Sequence, residues 1–155
     1  MSSGAVATRA IVLEEGFKVL TVNGDGRKFQ RVSRLECRAD NDSDTRVTVD
    51  INSDVFPVDA GQKVTIALAS TLNLSGEPDR DAYDHSVYHR ETVMSSYDYV
   101  MHGKVFKCNT DDLRADKSEV LLSFGGLLMK LEGSGPAIRD LKFNQNYYFL
   151  LKKTS

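Results

Sequence analysis

The chain has 155 residues, a length that is enough for one hydrophobic core and too short for two full domains. Its composition, 41% hydrophobic and 27% charged with 11 Gly and 3 Pro, excludes a low-complexity or disordered chain. The formal net charge of −2 supplies no overall field to attract nucleic acid or an anionic membrane, so polyanion binding would require a local basic patch.

The N-terminal sequence, the apolar runs and the cysteines indicate the cellular compartment in which the protein is expected. Residues 1–10 lack a basic segment followed by a long apolar run, so no secretory signal is expected. No apolar run approaches the ~18 residues of a membrane span, so no membrane partner is expected. Cys37 and Cys108 show no C-x-x-C spacing and make no disulfide framework, which favours a reducing compartment.

The apolar pattern predicts strands throughout the chain. Residues 46–52 alternate, with Val47, Val49 and Ile51 on one face and polar side chains on the other, as in a half-buried strand. Similar reasoning predicts strands at 16–22, 28–38, 46–52, 63–69, 97–108, 119–124, 127–132 and 146–153. No long window has helical apolar spacing behind a capping residue. These strands in series predict an all-β fold, an antiparallel barrel or sandwich.

Glycine-containing turns predict how some strands connect. The sequence Asn-Gly-Asp-Gly at 23–26 predicts a type I′ turn that joins the first two strands. The turn around Gly61 predicts that strands 46–52 and 63–69 are antiparallel neighbours. Residues 75–96 have no period and a mostly acidic charge, which predicts a long loop, either functional or partly disordered.

Gly125 and Gly126 interrupt an apolar run. The apolar residues that share one strand face have even numbers before the two glycines and odd numbers after them. One interpretation is a β-bulge that bends a single strand so that a barrel can close. The alternative is a tight Gly-Gly hairpin between two shorter strands. Both interpretations place Leu128, Lys130 and Glu132 on the outer face, with Leu128 an exposed apolar residue among charges.

A basic cluster in the second predicted strand is the one candidate for nucleic-acid binding. It surrounds Phe29 and consists of Arg27, Lys28, Arg31, Arg34 and Arg38. Small barrels of the OB type bind single strands through basic grooves with stacking aromatic side chains. These charges fall on both strand faces and the chain is slightly acidic, so a protein contact or solvated edge is favoured, and nucleic-acid binding stays the alternative.

No pattern predicts a catalytic, cofactor or metal site. His85 and His89 stand four residues apart, but the surrounding segment shows no helix on which they would form a metal-ligand pair. No serine or cysteine lies in a recognisable nucleophile motif. The chain is therefore expected to be neither an enzyme nor a cofactor-binding protein.

Four segments together resemble one family: "VTVDINSDVFPV" at 47–58, "IALASTLNL" at 66–74, "YDYVMHGKVFK" at 97–107 and "SFGGLLMKLEG" at 123–133. They are similar to the eighth small subunit common to eukaryotic DNA-directed RNA polymerases I, II and III, in order and in spacing. The resemblance extends over residues 16–153. Residues 1–15, 75–96 and 110–119 depart from the pattern, which is where loops and termini vary most readily.

The resemblance implies an antiparallel eight-stranded barrel of OB-fold-like type with long loops, as a single domain over 1–155 with a variable segment at 1–15. It further implies a nuclear, non-catalytic subunit that contacts the largest polymerase subunit and supports assembly and stability. A partner surface including Leu128, Lys130 and Glu132 is then expected, with Gly125 and Gly126 shaping the barrel.

Overall fold

The computed structural model describes residues 11–24, 31–40, 44–71, 96–109, 118–134, 138 and 140–154. The predicted loop at 75–96 therefore lies outside the described residues, apart from Ser96. Within the described residues, no helix has the length and apolar character to cross a membrane.

Eight antiparallel strands close into a barrel. They are β1 (Ile11–Val22), β2 (Val32–Ala39), β3 (Arg46–Asn52), β4 (Lys63–Ala69), β5 (Tyr99–Asn109), β6 (Ser118–Phe124), β7 (Leu127–Gly133) and β8 (Asn146–Lys153). The order around the barrel is β1-β2-β3-β7-β6-β5-β8-β4, and β4 pairs back onto β1. Each predicted strand is present, which confirms the expectation of an all-β, antiparallel eight-stranded barrel. The largest boundary differences are at β1, which begins at Ile11 rather than at residue 16, and at β2, which begins at Val32.

The predicted pairing of β3 with β4 is wrong. Strand β3 pairs with β2 and β7, whereas β4 pairs with β1 and β8. The turn around Gly61, where φ is +91°, therefore leads the chain across the barrel rather than into a hairpin. Gly61 N–H donates to the carbonyl of Val19 at 2.7 Å, which fixes the turn against β1.

The barrel interior is filled by alternate residues of each strand, as the sequence pattern predicts. Val47, Val49 and Ile51 of β3 are all buried. Strands β4 and β8 differ from the predicted half-buried pattern, because Ala67, Ala69 and Leu150 are buried on the outer side as well. A second small cluster covers that side, and its partly buried members are Ile11, Tyr97, Val100 and Tyr148. A strand that is buried on both faces has a continuous apolar sequence. This explains the runs "IALA" at 66–69 in β4 and "FLL" at 149–151 in β8.

Gly125 and Gly126 form the turn of a β6–β7 hairpin, so the bulge interpretation is wrong and the hairpin alternative is confirmed. Phe124 pairs with Leu127 across the turn. The φ angles of the two glycines are +64° and +104°, and a two-residue type I′ turn requires positive φ at both central positions. Barrel bulges lie elsewhere, since register shifts interrupt β1 on both of its edges and β5 beside β6.

The β1–β2 connection is not the predicted two-residue type I′ turn. Val22 pairs with Leu35, and residues 23–31 lie between the two strands. Asn23 has φ +54°, whereas Gly24 is not among the described residues with positive φ. The Asn23 side chain accepts a hydrogen bond from the Arg34 backbone N–H at 3.0 Å, which fastens the start of the loop to β2.

Candidate interaction surface

The outer faces of β2, β3, β7 and β6 form one continuous polar surface, which we call the β7 surface. Register places three rows across it. The first row, nearest the turn of the β6–β7 hairpin, consists of two strand pairs, Arg34 with Asp50 and Leu128 with Ser123. The middle row runs through Glu36, Thr48, Lys130 and Leu121. The far row runs through Arg38, Arg46, Glu132 and Glu119.

Leu128 is unusual among the exposed apolar side chains. The large hydrophobic side chains exposed among the described residues are Val12, Leu20, Val55, Phe106, Leu128 and Phe143. Val12, Leu20 and Phe106 are skipped at the three register shifts, and bulge residues are free to point outward. Val55 and Phe143 lie in turns. Leu128 alone in this set lies within an uninterrupted strand pairing, 43% exposed, which confirms the predicted outward placement.

Charged side chains flank Leu128 along β7. Lys130 Nζ lies 4.0 Å from a carboxylate oxygen of Glu119 and 3.9 Å from one of Glu132. The three side chains are one-third to two-fifths exposed, so these contacts are weak in water. The predicted residues Leu128, Lys130 and Glu132 thus share one face, with an apolar centre and a charged border.

Asp50 organises the neighbouring part of the surface, a role that the sequence pattern did not reveal. Its carboxylate accepts hydrogen bonds from Arg34 Nε at 2.7 Å and from a second Arg34 nitrogen at 3.0 Å. It also accepts the backbone N–H of Leu128 at 3.1 Å. The pairing of β3 with β7 ends at Val49 and Met129. Beyond this point the Asp50 carboxylate, rather than a backbone carbonyl of β3, accepts the N–H of Leu128. An aspartate within the strand sequence "VTVDIN" was the one sign of this role. Its partners lie on β2 and β7, so they could be identified only once the order of the strands was known.

The basic cluster predicted as a nucleic-acid alternative is divided in the structure. Arg27 and Lys28 lie outside the described residues. Arg31 pairs with Asp54 at 3.2 Å, and Arg34 pairs with Asp50. Arg38 is exposed at the far end of β2. Because two of the three described arginines already contact carboxylates, the cluster offers little net positive charge to a phosphate backbone.

Both thiols are held in the protonated form. Burial, with a smaller contribution from the nearby Glu36 carboxylate, raises the pKa of the Cys37 thiol to about 12. Burial also raises the pKa of Cys108. The thiolate is the reactive form of cysteine, so neither thiol is activated as a nucleophile at neutral pH. Among the described residues, no three His, Cys, Asp or Glu side chains gather as a metal site, and His85 and His89 lie outside them.

The sequence profile of the RNA polymerase Rpb8 family matches residues 14–153, which include all of β2 to β8 and most of β1. The chain belongs to the RNA polymerase Rpb8 family. The family and the names of its relatives describe a small polymerase subunit rather than the catalytic one. The resemblance stated from the four sequence segments is thereby confirmed.

Three curated relatives match most of the length of this chain. A Caenorhabditis elegans protein named "Probable DNA-directed RNA polymerases I, II, and III subunit RPABC3" is 38% identical over 93% of this chain and 97% of its own length. An Arabidopsis thaliana protein named "DNA-directed RNA polymerases II, IV and V subunit 8B" is 36% identical, over 96% and 99%. The Saccharomyces cerevisiae protein "DNA-directed RNA polymerases I, II, and III subunit RPABC3" is 33% identical, over 83% and 90%.

Proposed function

We propose that this protein is a non-catalytic common subunit of nuclear DNA-directed RNA polymerases I, II and III, where it contributes to assembly and stability. The single observation that carries the proposal is the family match over residues 14–153. The worm and yeast relatives are named as subunits of polymerases I, II and III. The Arabidopsis name assigns its protein to polymerases II, IV and V, so the set of polymerases differs among relatives.

The surface proposed to contact the largest polymerase subunit is the β7 surface around Leu128. A single exposed leucine is common on protein surfaces, so this face is chosen for the position of Leu128, which alone in the exposed apolar set lies in an uninterrupted strand pairing. The flanking Lys130 and Glu132 give the surface the charged rim that is typical of protein interfaces. The paired arginines nearby favour a protein contact over a nucleic-acid contact.

Substitution of Leu128 by aspartate tests this surface. Because Leu128 is 43% exposed, the Leu128→Asp chain is expected to fold, while a desolvated carboxylate in the contact would prevent incorporation into polymerase. Leu20→Asp is the matched control, since Leu20 is 36% exposed on β1, which two strands, β2 and β3, separate from β7 around the barrel. The measurement is recovery of the largest subunit with each tagged variant from cells. Equal recovery with Leu128→Asp and Leu20→Asp would remove the β7 surface from the proposal.

A further inference from the structure

Strand β5 extends beyond its neighbour β6. Pairing of β5 with β6 begins at Lys104 and Ser123, whereas pairing of β5 with β8 begins at Tyr99. Residues 99–103 are therefore paired on the β8 side only. The barrel is closed at its middle, but among the residues that the structure describes no strand pairs with the other edge of this part of β5.

The backbone groups that face this open edge are those of Val100 and His102. In an antiparallel ladder, the N–H and C=O of successive residues point to opposite sides. Val105 donates its N–H to the carbonyl of Gln145 at 3.0 Å, so odd-numbered residues of β5 face β8. Val100 and His102 face the other way, and within the described part of the chain no backbone hydrogen bond reaches these groups.

A shallow cavity of about 450 Å³, largely open to solvent, lies along this edge. Its walls come from three elements: β5, the tip of the β6–β7 hairpin, and the end of β3 with the turn that follows. The polar lining is Asn52, Asp98 and His102. The apolar lining is Val55, Tyr99, Val100, Met101, Phe124 and Leu127.

Two features hold the walls of the cavity in place. Tyr99 accepts the backbone N–H of Asn52 at 2.9 Å, which ties β5 to the end of β3. A Cβ at Gly103 would lie 2.1 Å from the backbone oxygen of Ser123, so glycine is needed where β5 passes β6. The open edge is therefore part of a built site rather than a frayed strand end.

We propose that this edge binds an extended segment of another protein chain, which adds to β5 as a strand. An edge that presents alternating free N–H and C=O groups is complementary to an extended polypeptide backbone. An apolar side chain of the segment would enter the cavity against Phe124 and Leu127. Asp98 is exposed at the mouth, so a segment that also carries Lys or Arg is favoured.

This site is distinct from the β7 surface and does not depend on which complex the chain enters. Its occupant is a chain segment of the complex in which the protein resides. A small molecule would fill the cavity but would leave the peptide groups of Val100 and His102 unpaired. The open hydrogen-bonding edge is the observation that selects a polypeptide.

Amide hydrogen exchange of the full chain tests the proposal directly. The amides of Val100 and His102 are compared between the isolated chain and the complex purified from its own cells. Strand addition is expected to slow their exchange by at least about tenfold, because each N–H gains a carbonyl partner. The amide of Gln62, in a turn that contributes nothing to the cavity, is the reference.

A proline substitution gives a second test. His102→Pro removes an N–H that points away from β8, so the β5–β8 ladder keeps its bonds. His102→Ala is the matched control, since both variants lose the ring contact with Tyr148 but alanine keeps the N–H. Loss of one hydrogen bond predicts about three- to tenfold weaker retention of the partner by His102→Pro than by His102→Ala.

The outcomes separate this inference from the proposed function. Polymerase subunits that co-purify without slower exchange at Val100 and His102 would overturn the inference alone. Slower exchange in a complex without polymerase subunits would support the inference and overturn the proposed function. A chain that purifies alone would overturn both. Protection that appears in the isolated chain as its concentration rises would assign the edge to a second copy and overturn the inference.

Discussion

Asp50 illustrates, at the residue scale, how one buried side chain can replace part of a strand ladder. Its carboxylate lies between the guanidinium of Arg34 and the backbone N–H of Leu128. The same residue therefore connects β2, β3 and β7 and positions the backbone under the proposed partner surface. The alternation of apolar and polar residues correctly placed Asp50 on the outer face of its strand, a position that suggested exposure to solvent. Its burial could not be predicted, because neither Arg34 nor Leu128 lies near Asp50 in the sequence.

Asp50→Ala is expected to lower the free energy of unfolding by about 2–3 kcal/mol. Breaking a buried ion pair costs about 3–5 kcal/mol, and the partial exposure of Arg34, 41% of its side chain, reduces this figure. The control is Asp54→Ala, which removes the exposed pair with Arg31 and should cost at most about 1 kcal/mol. Urea unfolding of the isolated chain measures both. Equal losses would show that Asp50 has no special structural role.

The Cys37 thiol makes stability depend on alkaline pH. Its folded-state pKa is about 12 against an ordinary value of 9.0, so the folded chain holds the proton more tightly than the unfolded chain. The stabilisation is complete below pH 9 and is lost as pH rises from 9 towards 12. The slope from this group is at most about 1.4 kcal/mol per pH unit.

Cys37→Ala isolates this contribution. The variant loses packing at every pH, so the informative quantity is the change in unfolding free energy between pH 7.5 and 10. That change should be smaller in Cys37→Ala than in the natural chain, because the alanine variant has no thiol to titrate. An identical change in the two proteins would contradict the assignment.

At the element scale, the β6–β7 hairpin is defined by its two glycines. Parity of the apolar positions is equally compatible with a bulge and with a hairpin, so the sequence left both possibilities open. Positive φ at both glycines decides for the hairpin. The bulges in the described strands lie at Val12, Leu20 and Phe106. Each of these residues stands next to another apolar residue, and the sequence does not show which of the two points into the barrel.

Substitutions in this turn separate backbone strain from packing. No heavy atom lies within 4 Å of a Cβ built on Gly125 or Gly126, so any cost comes from the backbone. Gly126→Ala, at φ +104°, should lower the unfolding free energy by about 1–3 kcal/mol. Gly125→Asn should cost less, because φ +64° is a conformation that Asn144 already adopts in this chain at +67°. Thermal unfolding of the two variants checks the order, and a more stable Gly126→Ala would refute it.

At the scale of the whole molecule, the sequence predicted the strands well and their order poorly. The alternation of apolar and polar residues reflects which side chains of a strand are buried, and it can be seen within the strand itself. The predicted ends of β3, β6, β7 and β8 therefore lie within a residue or two of the observed ends. Pairing of β3 with β7, or of β4 with β8, joins segments far apart in the chain, and no local pattern encodes it. The same limit explains why Leu128 was predicted from its own strand, whereas Asp50 and the open edge of β5 required the assembled barrel.

The most direct test of the account is the composition of the complex that this chain enters. The full chain, tagged at its N-terminus, is purified from its own cells under a high-salt wash, and co-eluting chains are identified and quantified by mass spectrometry. The account predicts the large subunits of polymerases I, II and III in amounts comparable to the tagged chain. Elution of the chain alone, or with nucleic acid but no polymerase subunit, would contradict it.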